Sequence, residues 1–151
     1  MSKRLTTLSK VHVVAVGEEP VIVHQQQPTR WSCGVACAAM LTHQPFGVML
    51  QALPMVRISI TRRRLRRPYI NVGELRRLLV PYNLTMGTRA PGRPNTPLAI
   101  LRVPNGTCTG WHWCVWSAGV VHDPLLEDGC SWETYHDYFT ADVSYYPVRM
   151  S

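Results

Sequence analysis

The chain has 151 residues, with 16 Lys plus Arg against 9 Asp plus Glu, a net charge of +7, and five Cys. That length suits one domain, taken as residues 1–151, since single cores form at ~100–200 residues. At 46% hydrophobic and 17% charged the chain is too apolar to be disordered, and no run reaches the ~18 apolar residues of a membrane-spanning helix.

The first residues are basic and lead into the apolar stretch Val11–Val16. That stretch contains His12 and is followed by Glu18-Glu19-Pro20, so it does not read as a signal peptide. Val11–Val16 and Val21–Gln25 are expected to be short strands on either side of a Gly-Glu-Glu-Pro turn. Cys33–Thr42 (CGVACAAMLT) reads as a helix closed by Pro45, and Phe46–Leu53 as a second helical piece ending before Pro54. Arg57–Arg67 is Arg-rich with little apolar periodicity. Asn71-Val72-Gly73-Glu74 has the form of a capping box, and Val72, Leu75, Leu78 and Leu79 make an apolar helix face that Pro81 ends. Gly87–Pro97 reads as a loop. Beyond it Pro97–Val103, Trp111–Ser117, Val120–Asp123 and Val143–Arg149 read as strands, with a short helix over Ser131–Phe139. Helices first and an antiparallel sheet second define an α+β class.

The charge is unevenly placed. Eight of the fourteen Arg lie between Arg57 and Arg77, and six of the nine acids lie at or after Asp123. Most charge runs are solvated faces, but Arg62, Arg63 and Arg64 are dense enough to steer an acidic partner or nucleic acid. With only Tyr69 nearby, base stacking is not supported, and nucleic acid is the less favoured partner.

Five Cys without a secretion signal argue against a disulfide framework. Cys33 opens a helix, where the positive end of the helix dipole favours thiolate, the first requirement of a cysteine nucleophile. A base and its orienting partner are sought on the hairpin Trp111–Pro124. If Ala118-Gly119 form a two-residue turn, Cys114 faces Asp123, and His112, Cys114 and Trp116 share one face. Asp123 is then diagonal to His112, within reach of its imidazole. His122 falls on the opposite face. Gln27, six residues before Cys33, is placed to offer a side-chain amide beside the Cys33 N–H as an oxyanion site. A zinc site from Cys33, Cys37, His112 and Cys114 is the competing reading. The His112-Trp113-Cys114 spacing is unusual for zinc ligands and would leave Asp123 without a role, so no metal is expected.

Gln27-Pro-Thr-Arg-Trp-Ser-Cys33-Gly-Val-Ala-Cys37, His112-Trp-Cys-Val-Trp116 and Val121-His-Asp123-Pro124 together resemble the papain-like cysteine peptidases. The resemblance is nearest to the bacteriocin-processing, double-glycine leader peptidase branch. It implies Cys33 as nucleophile, His112 as general base and acid, Asp123 as its orienter and Gln27 as oxyanion donor, with no cofactor. Trp31, Trp111 and Trp113 are then candidates for the substrate groove. Compact domains of this kind also occur as bacterial effectors and toxins. The resemblance therefore implies a protein substrate, an immunity protein as partner, no membrane, and a cytoplasmic site of action. A transamidase or deamidase built on the same thiol is an alternative. So is a non-enzymatic basic binding module.

Overall fold

A computed structural model describes residues 21–57, 69–105, 110–138 and 142–151. The expected strand Val11–Val16, the dense run Arg62, Arg63 and Arg64, and Cys108 lie outside the described residues.

Three helices come first: α1 (Cys33–Thr42), α2 (Phe46–Val56) and α3 (Val72–Leu79). Every residue of α1 is buried, so it has no polar face. Its small residues let neighbours close around it, as expected of a helix inside a core. It stops at His43, which takes the left-handed conformation (φ 57°) and returns its N–H to the Ala39 carbonyl.

Gly34 shows how tight that packing is. A Cβ there would fall 2.7 Å from Cδ1 of Ile70 and 3.1 Å from Cδ1 of Trp113. Ile70 and Trp113 are both buried, so neither side chain has room to retreat. Gly34→Ala is therefore expected to cost about 1–3 kcal/mol through overpacking, measured by denaturant unfolding. Cys33 would move with the helix, so activity should fall together with stability.

The second helix continues to Val56, past the predicted stop before Pro54. Proline removes only its own N–H from the ladder, and here both Pro54 and Leu50, four residues earlier, are exposed to water. Val21–Gln25 is not a strand. It is an irregular segment fastened by side chains, with Gln25 Nε2 donating to Gln44 O (2.8 Å) and His24 Nε2 2.7 Å from Leu126 O.

The capping box on α3 has both of its bonds: Glu74 N donates to Asn71 Oδ1 (2.8 Å) and Asn71 N to Glu74 Oε1 (2.9 Å). The other Glu74 oxygen lies 3.4 Å from Arg57 Nε in a buried ion pair. Pro81 does not stop the chain abruptly. It sits in a 3-10 turn, Val80–Tyr82, that ends at Asn83 (φ 60°).

The second half is an antiparallel sheet of β1 (Leu84–Met86), β2 (Ala90–Pro91), β3 (Leu98–Asn105), β4 (Gly110–Ser117), β5 (Val120–His122), β6 (Cys130–Ser131) and β7 (Ser144–Met150). Its order is β1-β7-β3-β4-β5-β6, with β2 also on β7. Strands β1, β2 and β6, of two or three residues each, were not predicted; pairing with β7 and β5 defines them. A fourth helix, α4 (Trp132–Tyr138), starts where Thr134 N donates to Ser131 Oγ.

Alternation along the strands divides the interior in two. Ile100, Trp113, Val115, Tyr146 and Val148 pack under α1–α3. Ala99, Leu101, Cys114, Trp116 and Val121 pack with Tyr135 of α4. Because β5 pairs only with Val115–Ser117, the first half of β4 has, among the described residues, no strand beside it on that flank. The start of α1 packs at this level, with Gly34 against Trp113. Among the described residues no single helix is long and apolar enough to cross a membrane.

Candidate active site

The β4–β5 turn is the two-residue kind. Ala118 (φ 48°) and Gly119 (φ 91°) are both left-handed, as a primed hairpin turn requires. The register follows: Ser117 opposite Val120, Trp116 opposite Val121, Val115 opposite His122. One step further brings Asp123 alongside Cys114, diagonal to His112.

The imidazole and carboxylate meet there. His112 Nε2 lies 2.6 Å from Asp123 Oδ1, with His112 3% and Asp123 1% exposed. Asp123 accepts two further bonds, from Leu125 N on Oδ1 (2.8 Å) and from the Tyr135 hydroxyl on Oδ2 (2.8 Å). Burial alone would raise its pKa. The hydrogen bond and charge of His112, the Leu125 N–H and the Tyr135 hydroxyl outweigh it and hold the carboxyl below its ordinary value. His112 is driven the other way. Burial disfavours the imidazolium, but Cys114, the bond to Asp123 and a side-chain interaction with Cys33 more than compensate and raise its pKa. With Nε2 held by Asp123, Nδ1 is the ring nitrogen left for a thiol.

Two thiols flank that imidazole, and their surroundings differ. Cys114 is a core residue whose Sγ lies 3.3 Å from the Tyr135 hydroxyl. Burial and the Asp123 charge push its thiol up to about 12, so it stays neutral. Cys33 occupies the first position of α1 and is 1% exposed. Ser32 makes no capping bond to the helix; its hydroxyl donates instead to Thr29 O (2.8 Å). The N-terminal N–H groups of α1 are thus left uncapped by Ser32, beside the Cys33 sulfur. Cys37, one turn on, is fully buried, and burial raises its thiol well above the ordinary value.

Gln27 lies in the loop before α1, fixed by its N–H to Pro124 O (2.7 Å). Its Nε2 donates to the carbonyls of Thr29 (2.8 Å) and Arg30 (3.2 Å), and its Oε1 is buried without a hydrogen-bond partner. The amide is therefore brought to the right loop, but its donors are turned towards that loop rather than presented to an oxyanion.

The three tryptophans separate. Trp113 is 3% exposed, donates Nε1–H to Ile70 O (3.1 Å) and packs on Tyr146, so it is core rather than groove wall. Trp31 is half-buried with the Arg30 guanidinium 5.8 Å over its ring. Trp111 is half-buried beneath Arg102, and its ring lies open on the helix-facing side of the sheet. His122 pairs with His24, Nδ1 to Nδ1 at 3.2 Å. Burial and the neighbouring His24 lower its pKa to about 4, so it is neutral and does not compete for Asp123.

His112, Cys114 and Asp123 offer ligand atoms within 4.8 Å of one another, the spacing a metal ion would use. A thiol held neutral and a carboxylate already accepting three hydrogen bonds are poor zinc donors as they stand. The described arginines of the basic segment turn inward. Arg57 donates to Tyr69 O (2.8 Å), Arg77 to Val56 O (2.6 Å) and Arg76 to Gly87 O (3.0 Å). They tie separate segments of the chain together, and the other arginines of the basic segment lie outside the described residues.

Sequence reasoning missed Tyr135. A Tyr three residues after Trp132 on a short helix carries no visible signal, because its partner Asp123 is reached only when α4 packs back on β5.

A buried Cys-bearing helix start against an antiparallel sheet that carries a His–Asp pair is the architecture of the papain-like cysteine peptidases, and the chain has that fold. Among solved structures it is similar to a double glycine motif protease from an AMS/PCAT transporter, crystallised in complex with the leader peptide. The TM-score is 0.53 at 15% identity, covering 87% of this chain and 96% of that one. At that identity the likeness is one of fold. No protein-family profile matches the sequence, and no curated protein matches it.

Proposed function

We propose that the protein is a cysteine endopeptidase in which Cys33 is the nucleophile, His112 the general base and acid, Asp123 its orienter and Gln27 an oxyanion donor. The observation that carries this reading is the buried His112–Asp123 pair at 2.6 Å, with the remaining imidazole nitrogen left for the thiol of Cys33. The Cys33 thiol gives its proton to His112 Nδ1, its sulfur bonds to the peptide carbonyl carbon as the C=O π pair moves onto oxygen, and the oxyanion is held by the Cys33 N–H. The intermediate collapses as the C–N bond breaks, and His112 Nδ1–H protonates the leaving amine. Water, deprotonated by the same nitrogen, then cleaves the thioester and restores the thiol.

Two features of the resting site bear on this cycle. With Cys33 1% exposed, a carbonyl reaches its sulfur only if the cover over the helix start gives way. Gln27 sits in the loop leading into that helix. Once released from Thr29 and Arg30, a half-turn of its amide puts an N–H where the unpartnered Oε1 now lies. Gln27→Ala is therefore expected to lower kcat by ~10²-fold, the usual weight of one oxyanion donor, with KM little changed.

The setting we favour is an effector or toxin that cuts a specific protein inside a target cell, with an immunity protein blocking the cleft in its producer. The small size of the domain and its basic segment, which resemble such domains, support it. The test is expression of wild type and Cys33→Ala in bacterial cells, followed by mapping of new protein N-termini. Growth arrest with new N-termini only for wild type is expected. A modified Gln side chain in place of new termini would mean a transamidase or deamidase, and equal behaviour of the two proteins would end the enzymatic reading.

A further inference from the structure

Next to the candidate active site the sheet carries a second feature that the chemistry above does not use. The helix-facing side of β4 is covered by α1 as far as Trp113, which touches Gly34. Trp111, two residues back on the same side and ~7 Å along the strand, is not covered. There the sheet forms an open depression of about 340 Å³, lined by Arg89, Arg102, Trp111, Asp142 and Ser144 among others. That is the lower end of the range for small-ligand pockets.

Its lining is net positive, with Arg89 and Arg102 against Asp142. The Arg102 guanidinium carbon lies over the Trp111 ring, 3.2 Å from its centroid, a cation–π contact that holds the side chain. Arg102 feels partial burial and, next, the positive charge of Arg89, and both lower its pKa. Two like charges are thus held close together. Among the described residues neither arginine has an ion-pair partner, although Asp142 stands on the rim. This contrasts with Arg57, Arg76 and Arg77, each of which donates to a backbone carbonyl of another segment. An Arg held by an aromatic ring with its fork unpaired is a ready carboxylate receptor.

The geometry points to the Arg89–Arg102–Trp111 depression as a specificity subsite that binds the carboxylate of an Asp or Glu side chain of the peptide substrate, a few residues from the bond attacked by Cys33. The placement rests on the peptidase reading above; the carboxylate chemistry does not. Trp111 and His112 are neighbours on β4 whose side chains face opposite sides of the strand, so the depression opens beside the site rather than within it, and an extended peptide lying along the first half of β4 turns alternate side chains towards it.

Affinity selection of a positional-scanning library of acetylated octapeptides tests it on the Cys33→Ala protein, where no turnover interferes. Enrichment of Asp and Glu at one position is expected, with Gln or Asn there binding about tenfold more weakly. Arg102→Glu should reverse the preference to Lys and Arg. Because that change also unstacks Trp111, Arg89→Gln, at an exposed position, provides a second reading and should weaken the acidic preference several-fold. A preference unchanged in both variants, or no acidic preference at all, overturns the subsite. Cleavage of the selected peptides by wild type is read separately. Selective binding without cleavage would sink the peptidase proposal and leave the subsite standing.

Discussion

Cys33→Ala is expected to abolish peptide cleavage, by ~10⁴-fold or more, while leaving the folding midpoint nearly unchanged. The substitution removes the atom proposed to form the acyl bond and leaves a methyl group in its place. His112→Ala should be comparably inactive, because the thiol then has neither a base nor a proton source for the leaving amine. The informative control is Cys114→Ala, which removes the other thiol beside His112. It should retain most activity and lose about 1–2 kcal/mol of stability, since Cys114 packs in the core and interacts with Tyr135. Iodoacetamide labelling of the native protein distinguishes the two thiols directly. Alkylation is expected at Cys33 and not at Cys114, whose thiol is held up near 12. Full turnover by Cys33→Ala protein would refute the assignment of the nucleophile.

The second large effect concerns Asp123. Asp123→Ala leaves the imidazole without its acceptor and should lower kcat by ~10²–10⁴-fold. Asp123→Asn keeps an oxygen for the Nε2–H but removes the charge, so it separates orientation from electrostatics and should fall only roughly tenfold. After Cys114, the hydrogen bond to the Asp123 carboxylate is what raises the His112 pKa against burial, so the weaker, neutral acceptor of Asn is expected to lower it. Protonation of the leaving amine requires His112–H, and the alkaline limb of the activity profile therefore moves to lower pH in Asp123→Asn. The stability linkage has the corresponding signs. The His112 contribution is complete below the imidazole's unfolded value and is lost as pH rises through the raised folded value. The Asp123 contribution is complete above its unfolded value and is lost as pH falls through the depressed one. An unchanged pH–rate profile in Asp123→Asn would show that the carboxylate does not tune the base.

Some of this site was readable before any coordinates. The reach from Asp123 to His112 followed from one assumption, the two-residue turn at Ala118-Gly119. Once the turn length is set, strand alternation leaves no freedom, and His122 falls on the wrong face by the same parity. The α3 capping box was equally local, because both its bonds lie within Asn71–Glu74. Other features were not readable, for a common reason. Tyr135 reaches Asp123 across 12 residues through the packing of α4, and no pattern in Trp132–Tyr138 reports it. Arg57, Arg76 and Arg77 looked like surface charge until their carbonyl and carboxylate partners were in place. Trp113 and Trp111 are two residues apart in one strand, yet α1 covers one and leaves the other open.

The sequence by itself determined the class of fold, the order of its helices and strands, and which cysteine opens a helix, because these depend on periodicity, caps and turns over a few residues. Only the tertiary structure decided how that helix start meets the hairpin, which of two thiols beside His112 is locked neutral in a core, where Gln27 directs its amide, and that Arg89 and Arg102 line one depression with Arg102 over Trp111. Those outcomes depend on burial and on long-range neighbours, which set hydrogen-bond partners and ionisation but leave no trace in local spacing.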